Sequence, residues 1–189
     1  MSAQDSKLFV ISGPSGAGKG TLVTRVRERR SNLGLTVSAT TRAPRKGEVD
    51  GVNYFFLTRE DFDRRVANGE FVEWAEVHGN CYGTLVSEVQ SKLASGSSLI
   101  LEIDVQGALQ VKERFPEAVL IFIKPPSLEV LRERLVGRGT ETPETIELRM
   151  ANAAHELALA DRYDDVVVND DLDRATDELV RVLDMHERI

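Results

Sequence analysis

Four short stretches of the chain are almost wholly apolar and rich in branched side chains: Leu8–Ser12, Ser98–Asp104, Val119–Ile123 and Asp165–Asn169. A strand with one wet face alternates apolar and polar residues. A run without that alternation predicts a strand covered on both faces, as in a parallel sheet. Between and after these runs the apolar spacing becomes helical, predicting helices over Lys19–Arg30, Val105–Phe115, Leu128–Gly137, Glu144–Arg162 and Leu172–Glu187. Thr142 before Pro143 reads as a helix cap followed by proline in the first turn, and Asp171 reads as the cap of the last helix. Strands alternating with helices imply βαβ units and an α/β fold.

Residues 36–95 break that rhythm. Thr36–Ala39, Gly51–Leu57, Glu70–Val77 and Asn80–Thr84 read as short strands among Gly, Asn and Pro. One short helix, Arg59–Ala67, follows Thr58, with Asp61 three residues on in a capping-box-like arrangement. This segment reads as an inserted α+β lobe. Gly137–Pro143 reads as a flexible turn between two helices.

Composition narrows the classes. At 189 residues the chain suits roughly one domain of about 150 residues with insertions, large enough to need no staple. The single cysteine, Cys81, excludes an internal disulfide framework and a cysteine-based zinc site. No apolar run approaches the ~20 residues of a membrane helix, and the first residues lack a signal-peptide core, so a cytoplasmic protein is expected. With Lys+Arg 24 against Asp+Glu 31, the net charge of -7 disfavours nucleic acid as a partner. Only six of the cations are lysine, and arginine suits forked recognition of phosphate.

The strongest chemical signal is Gly13-Pro14-Ser15-Gly16-Ala17-Gly18-Lys19-Gly20-Thr21, directly after the strand Leu8–Ser12. Glycines let successive backbone N–H groups turn inward around an anion, and the following helix aims its positive end at the same place. Lys19 would reach the terminal phosphates of a nucleotide. The pattern G-x-x-x-x-G-K-[ST] fails at its last position, where Gly20 stands, so a hydroxyl–metal bond at that position is not expected. ATPases, GTPases and small-molecule kinases all carry such a loop, so it does not name the reaction.

Six further segments do. Thr36–Glu48 with Gly51–Phe56, then Gly69–Thr84, then Leu101–Gly107, Gly137–Thr142 and Val168–Asp170 closely resemble guanylate kinases, in order and from about Leu8 to about Arg181. The resemblance implies a three-layer phosphate-loop sandwich with a parallel core sheet, an inserted GMP-binding lobe and a short helical lid. It divides one domain into a core (1–36, 96–136 and 150–189), a lobe (37–95) and a lid (137–149). It also implies transfer of the γ-phosphoryl group of ATP to GMP, with dGMP as a second acceptor and Mg²⁺ as the metal. Guanylate-kinase-like scaffold modules, which bind phosphorylated peptides, are the alternative. They typically carry damaged phosphate loops, whereas Lys19 and its glycines are intact here.

The resemblance also assigns roles. Arg42 and Arg45, stiffened by the proline between them, hold the GMP phosphate with the hydroxyls of Tyr54 and Tyr82. Glu73 accepts the two adjacent donors of guanine, while Ser38 and Thr84 serve its O6. Asp104 helps read the base, and Glu102 sits near the Mg²⁺ shell through water. The two acids stand two apart on a predicted strand, which would aim both to one face. Arg134, Arg138 and Arg149 close over the phosphates, while Arg132 is expected to pair on the helix surface. Asn169 and Asp170 face adenine. No general base is required, because the second pKa of a phosphate monoester is about 6. His78, His155 and His186 are therefore read as incidental, and Phe71 and Trp74 as lobe core.

Overall fold

The computed structural model describes residues 6–77, 79–137 and 142–188. Strand β1 (Leu8–Ser12) lies at the centre of a five-stranded, all-parallel sheet. The order is β2 (Gly34–Leu35), β7 (Leu99–Glu102), β1, β8 (Val119–Lys124) and β9 (Asp165–Val168). Val10 is aligned with Leu101 on one side and Leu120 on the other.

The missing alternation in β1 has its cause in two covered faces. Phe9 and Ile11 pack with Leu22 and Val26 of α1 (Lys19–Arg29) and with Leu179 and Leu183 of α7 (Leu172–Glu187). Leu8 and Val10 pack on the other face with Ala108 and Val111 of α4 (Val105–Arg114) and Val89 of α3 (Val86–Ala94). Each fully buried Leu, Ile or Phe contributes about 1.5–3 kcal/mol. Three layers result, and the C-terminal ends of β1, β7 and β8 open at one edge, the usual ligand side of such a sheet.

A second sheet runs β4 (Phe55–Phe56), β3 (Ala39–Thr40), β6 (Asn80–Leu85), β5 (Phe71–Val77). The β3–β4 pair is parallel and the others antiparallel. Helix α2 (Arg59–Ala67) covers it, with Phe62 stacked on Phe71 at a centroid distance of 4.3 Å. Thr58 caps α2 by accepting from the Asp61 N–H at 3.1 Å, as its spacing suggested. Cys81 is buried in this core, whereas Trp74 is 41% exposed and so does not belong to it.

Helices α5 (Leu128–Gly137) and α6 (Pro143–Leu157) join through Leu131, Leu135, Ile146 and Ala153. Arg132 pairs with Glu147 at 2.6 Å across the two helices, the structural role expected of it. The stretch expected to be one helix to Arg162 stops at Leu157, and Ala160–Arg162 forms a separate 3₁₀ turn. The reason lies just beyond. Tyr163 is anchored edge-on to Phe122 at 5.0 Å, and the Asp164 carboxylate takes the Leu120 N–H at 2.8 Å. Both ties pull the chain back onto the sheet. No helix among the described residues is long and apolar enough to cross a membrane.

Candidate active site

The loop from Gly13 to Gly18 leaves β1 and enters α1 without a side-chain cap. Gly13 has φ 141°, and a Cβ there would lie 2.3 Å from the Ile123 carbonyl oxygen. Gly18 has φ 90°, and its Cβ would lie 2.4 Å from Asn169 Nδ2. Both positions exclude a side chain by conformation and by space. Ala17 N–H donates to the Pro14 carbonyl at 3.1 Å and closes the turn. Lys19 Nζ donates to the carbonyls of Gly13 at 2.6 Å and Pro14 at 3.2 Å, which holds the ammonium at the mouth of the loop.

Two side chains, Asn169 and Arg149, reach this loop from elsewhere, and Arg134 holds one of them. Asn169, buried at the end of β9, donates from Nδ2 to the Ala17 carbonyl at 2.8 Å. Arg134 of α5 donates to the Asn169 carbonyl at 2.8 Å. Arg149 of α6 donates to the Ser15 hydroxyl. Asn169 therefore braces the loop, which the adenine-facing assignment did not anticipate. The Asp170 carboxylate pairs with Arg174 and accepts from the Asp171 N–H at 2.6 Å. Those bonds hold it below the usual carboxylate range and tie it to the start of α7. Arg138, assigned to the lid, lies outside the described residues, as does His78.

The second sheet supplies another set of polar groups. Arg42 forks onto Glu48, with Nη2 at 2.8 and 3.0 Å from the two carboxylate oxygens. Its guanidinium carbon lies 5.4 Å from the Tyr54 ring centre, and Tyr54 meets Tyr82 edge-on at 6.2 Å. Glu48 also accepts from the Arg45 N–H at 2.6 Å. The hydrogen bond from Arg42, then that from Arg45, keeps Glu48 below its ordinary range, so it is ionised at neutral pH. Sequence reasoning gave Glu48 no role, although it grips the Arg42 guanidinium and the Arg45 backbone. Its place three residues after Arg45 was the available signal. Arg45 is exposed on the same loop.

Glu73 and Thr84 face each other across the β5–β6 pair. The Thr84 hydroxyl, wholly buried, donates to Glu73 Oε1 at 2.8 Å. Burial pushes the Glu73 carboxyl above its usual range, the Thr84 bond opposes this, and the nearby Asp104 charge adds to it. Asp104 reaches Glu73 by a route other than a shared strand face. Strand β7 ends at Glu102, and Asp104 caps α4 by accepting from the Gly107 N–H at 2.7 Å. A Cβ on Gly107 would lie 3.4 Å from Asp104 Oδ1 and 3.5 Å from Glu73 Oε2. The two acids thus meet over Gly107, Glu73 from the second sheet and Asp104 from the cap of α4.

Two cavities connect the sets. One, of about 310 Å³, is lined by Ser15, Gly16, Gly18, Lys19, Gly20, Thr21 and Glu102. The other, of about 460 Å³, includes Ser38, Tyr54, Arg27, Gly20 and Glu102. Gly20 and Glu102 line both. Glu156 of α6 is a further carboxyl pushed up by burial, with Lys19 and Asp104 as charged neighbours, and no sequence signal marked it. No group of three or more His, Cys, Asp or Glu among the described residues is placed to hold a metal ion. One carboxylate beside a phosphate cradle fits a divalent cation that a nucleotide carries in, with phosphate oxygens and water as its main ligands.

The profile of the guanylate kinase family matches residues 5–186. The guanylate kinase of Halalkalibacterium halodurans is 52% identical over 97% of this chain and 90% of its own length. That of Gloeobacter violaceus is 56% identical over 94% of this chain and 87% of its own. The crystal structure of guanylate kinase from Anaplasma phagocytophilum, 36% identical, superposes with a TM-score of 0.71 over 96% of this chain and 86% of that one. With a family profile over nearly the whole chain and relatives more than half identical to it, the chain belongs to the guanylate kinase family.

Proposed function

We propose how this member of the family carries out ATP:GMP phosphoryl transfer, yielding ADP and GDP. The phosphate loop, from Gly13 to Thr21, takes the ATP phosphates on its N–H groups, and Lys19 neutralises charge at their outer end. Asn169 and Asp170 border the nucleoside side of ATP. Arg42 and Arg45 take the GMP phosphate together with Tyr54 and Tyr82. Glu48 preorganises the Arg42 side chain, so less of its rotamer freedom is lost on binding, and it pins the backbone at Arg45.

The Glu73–Thr84 hydrogen bond carries the choice of base. Thr84 occupies one carboxylate oxygen and fixes the plane of the group. An ionised Glu73 can then accept from the N1–H and N2–H₂ donors of guanine, with Asp104 beside it and Ser38 and Thr84 near O6. Adenine brings an acceptor at N1 and leaves the carboxylate unpaired, a loss of ~10⁴ or more in selectivity at a site of this kind. dGMP, which carries the same base and phosphate, is the second acceptor we assign.

The acceptor oxygen is already largely ionised, so the chain's task is alignment and charge compensation rather than proton removal. Arg134, Arg138 and Arg149 sit on or beside the lid segment 137–149. They approach the equatorial oxygens of the migrating group, and lid closure removes competing water. Mg²⁺ is the divalent cation we assign, with Glu102 facing it. When bound it offsets charge on the β- and γ-phosphate oxygens. Residues 37–95 act as the GMP lobe and the rest of the chain as the core. Nucleotide substrates support a cytoplasmic place of work.

A coupled assay across nucleoside monophosphates with ATP and Mg²⁺ tests the reading. GDP formation from GMP with little turnover of AMP is the expected result. Turnover of AMP but not GMP would overturn the base assignment, and no ATP-dependent turnover at all would revive the scaffold alternative.

A further inference from the structure

Gly20 is hard to explain as a helix residue. It lies in the first turn of α1 with a negative φ, so the backbone does not ask for glycine, and glycine costs about 1 kcal/mol against alanine in a helix. What lies beside it is informative. A Cβ built on Gly20 would sit 3.5 and 3.7 Å from the two carboxylate oxygens of Glu102, with no other heavy atom nearby. A hydroxyl one bond further out would press on that carboxylate or bind it. The space where phosphate loops of the G-x-x-x-x-G-K-[ST] pattern carry a metal-binding hydroxyl is therefore faced here by a carboxylate. Thr21 does not replace the hydroxyl, since the next position on a helix is turned by about 100°. Glu102 and Gly20 are also the two residues common to the cavity at the loop and the cavity toward the second sheet. Burial pushes the Glu102 carboxyl above its usual range, and the charge of Lys19 opposes this.

We propose that Gly20 and Glu102 form one compensated pair, in which the Glu102 carboxylate, with the room left by Gly20, is a direct ligand of the nucleotide-borne divalent cation. The pair replaces the loop hydroxyl rather than acting through a bridging water. The inference rests on the phosphate-loop reading above. It makes each residue conditional on the other. Serine at 20 beside Glu102 would bind the carboxylate and turn it from the cation. Aspartate at 102 beside Gly20 would fall a methylene short. Serine and aspartate together would restore a metal-binding set from different atoms.

The test is a double-mutant cycle read by metal binding rather than by turnover. Mn²⁺ is titrated into the full-length protein with a non-hydrolysable ATP analogue, and free Mn²⁺ is followed by electron paramagnetic resonance. The parent, G20S, E102D, E102Q and G20S/E102D are compared, with an unfolding curve for each. E102Q, which keeps the shape and loses the charge, is expected to weaken Mn²⁺ binding about tenfold or more, in the range for loss of a group acting on a metal site. G20S and E102D are each expected to weaken it about five- to tenfold, and G20S/E102D to return within about twofold of the parent. Multiplying single-variant losses in the double variant would overturn the pairing. Mn²⁺ affinity within twofold of the parent in E102Q would overturn the ligand assignment. A parent that binds the analogue but shows neither effect defeats this proposal alone, whereas a parent that binds no analogue defeats the phosphate-loop reading with it.

Discussion

The Thr84 hydroxyl donates to Glu73 Oε1 at 2.8 Å from the facing strand, and the other oxygen of that carboxylate borders Gly107 of the core helix α4. A carboxylate is thereby held half-buried beside a second acid, Asp104. Such a group is costly to keep ionised unless something binds it, which suits a receptor for paired N–H donors.

Glu73→Gln keeps an acceptor for Thr84 and loses the charge. Hydrogen bonds to a charged group are worth about 1.5–3 kcal/mol, so KM for GMP is expected to rise about 10–100-fold while KM for ATP stays near the parent value. Steady-state kinetics with each substrate varied in turn check this.

The same carboxyl sets a pH dependence. Its folded-state value is raised, so it takes up a proton at a pH above the ordinary glutamate range. GMP needs the ionised form, and KM for GMP is expected to climb as pH falls through that raised value, with no such climb in Glu73→Gln. Stability moves oppositely. A raised carboxyl contributes most below its unfolded-state range, and the contribution is lost as pH rises through the folded value. Ligand-free Glu73→Gln is therefore expected to be more stable than the parent near neutral pH, with the difference fading in acid. Urea unfolding at the two ends of the range measures it.

Lys19 donates to the loop carbonyls of Gly13 and Pro14 and belongs to none of the hydrophobic clusters of the fold. Lys19→Ala is expected to lower kcat by about 10²–10³, the usual cost of one preorganised charge donor, with unfolding nearly unchanged. Equal losses in kcat and in thermal stability would count against the assignment.

Asn169 joins the loop to the lid helices, accepting from Arg134 on its carbonyl and donating to Ala17 from its side chain. Asn169→Asp puts an anion against the Ala17 carbonyl at nearly the same volume. It is expected to raise KM for ATP about tenfold and leave KM for GMP within twofold, at a stability cost of about 1–2 kcal/mol for the lost buried bond. A rise in KM for GMP instead would contradict the bracing role.

Much of the core could be read from the chain before any coordinates. β1 and β8 were visible because both faces are covered and nothing polar interrupts them, and α2, α6 and α7 because Thr58, Thr142 and Asp171 each cap as their spacing suggested. Helix α3 was missed for the complementary reason: it starts at Val86 straight off a strand, with Leu85 in the cap position and no side-chain cap. The chain changes sheets between Gly34–Leu35 and Ala39–Thr40, two strands of two residues each, too short for any periodicity to show. Asp104 was placed on a strand because the apolar run continues through Ile103. Its cap on Gly107 ends that run, and no local pattern announces it.

The site divides along the same line. The phosphate loop is legible because its chemistry is local. The Arg42–Glu48 fork and the Asn169–Ala17 brace depend on folds of the chain that spacing alone does not encode. Arg25–Asp173 and Arg29–Asp177, which tie α1 to α7 across 148 residues, are further examples. Here the resemblance to a family suggests roles, and the fold shows which side chains surround the residues that would play them.

The central claim is that Glu73 selects guanine. The direct measurement is the ratio of kcat/KM for GMP to that for AMP, in the parent and in Glu73→Gln. A parent ratio of ~10⁴ or more that falls by about 10² or more in the variant is the predicted result. A ratio that is unchanged by the substitution, or already within tenfold of one in the parent, would contradict it.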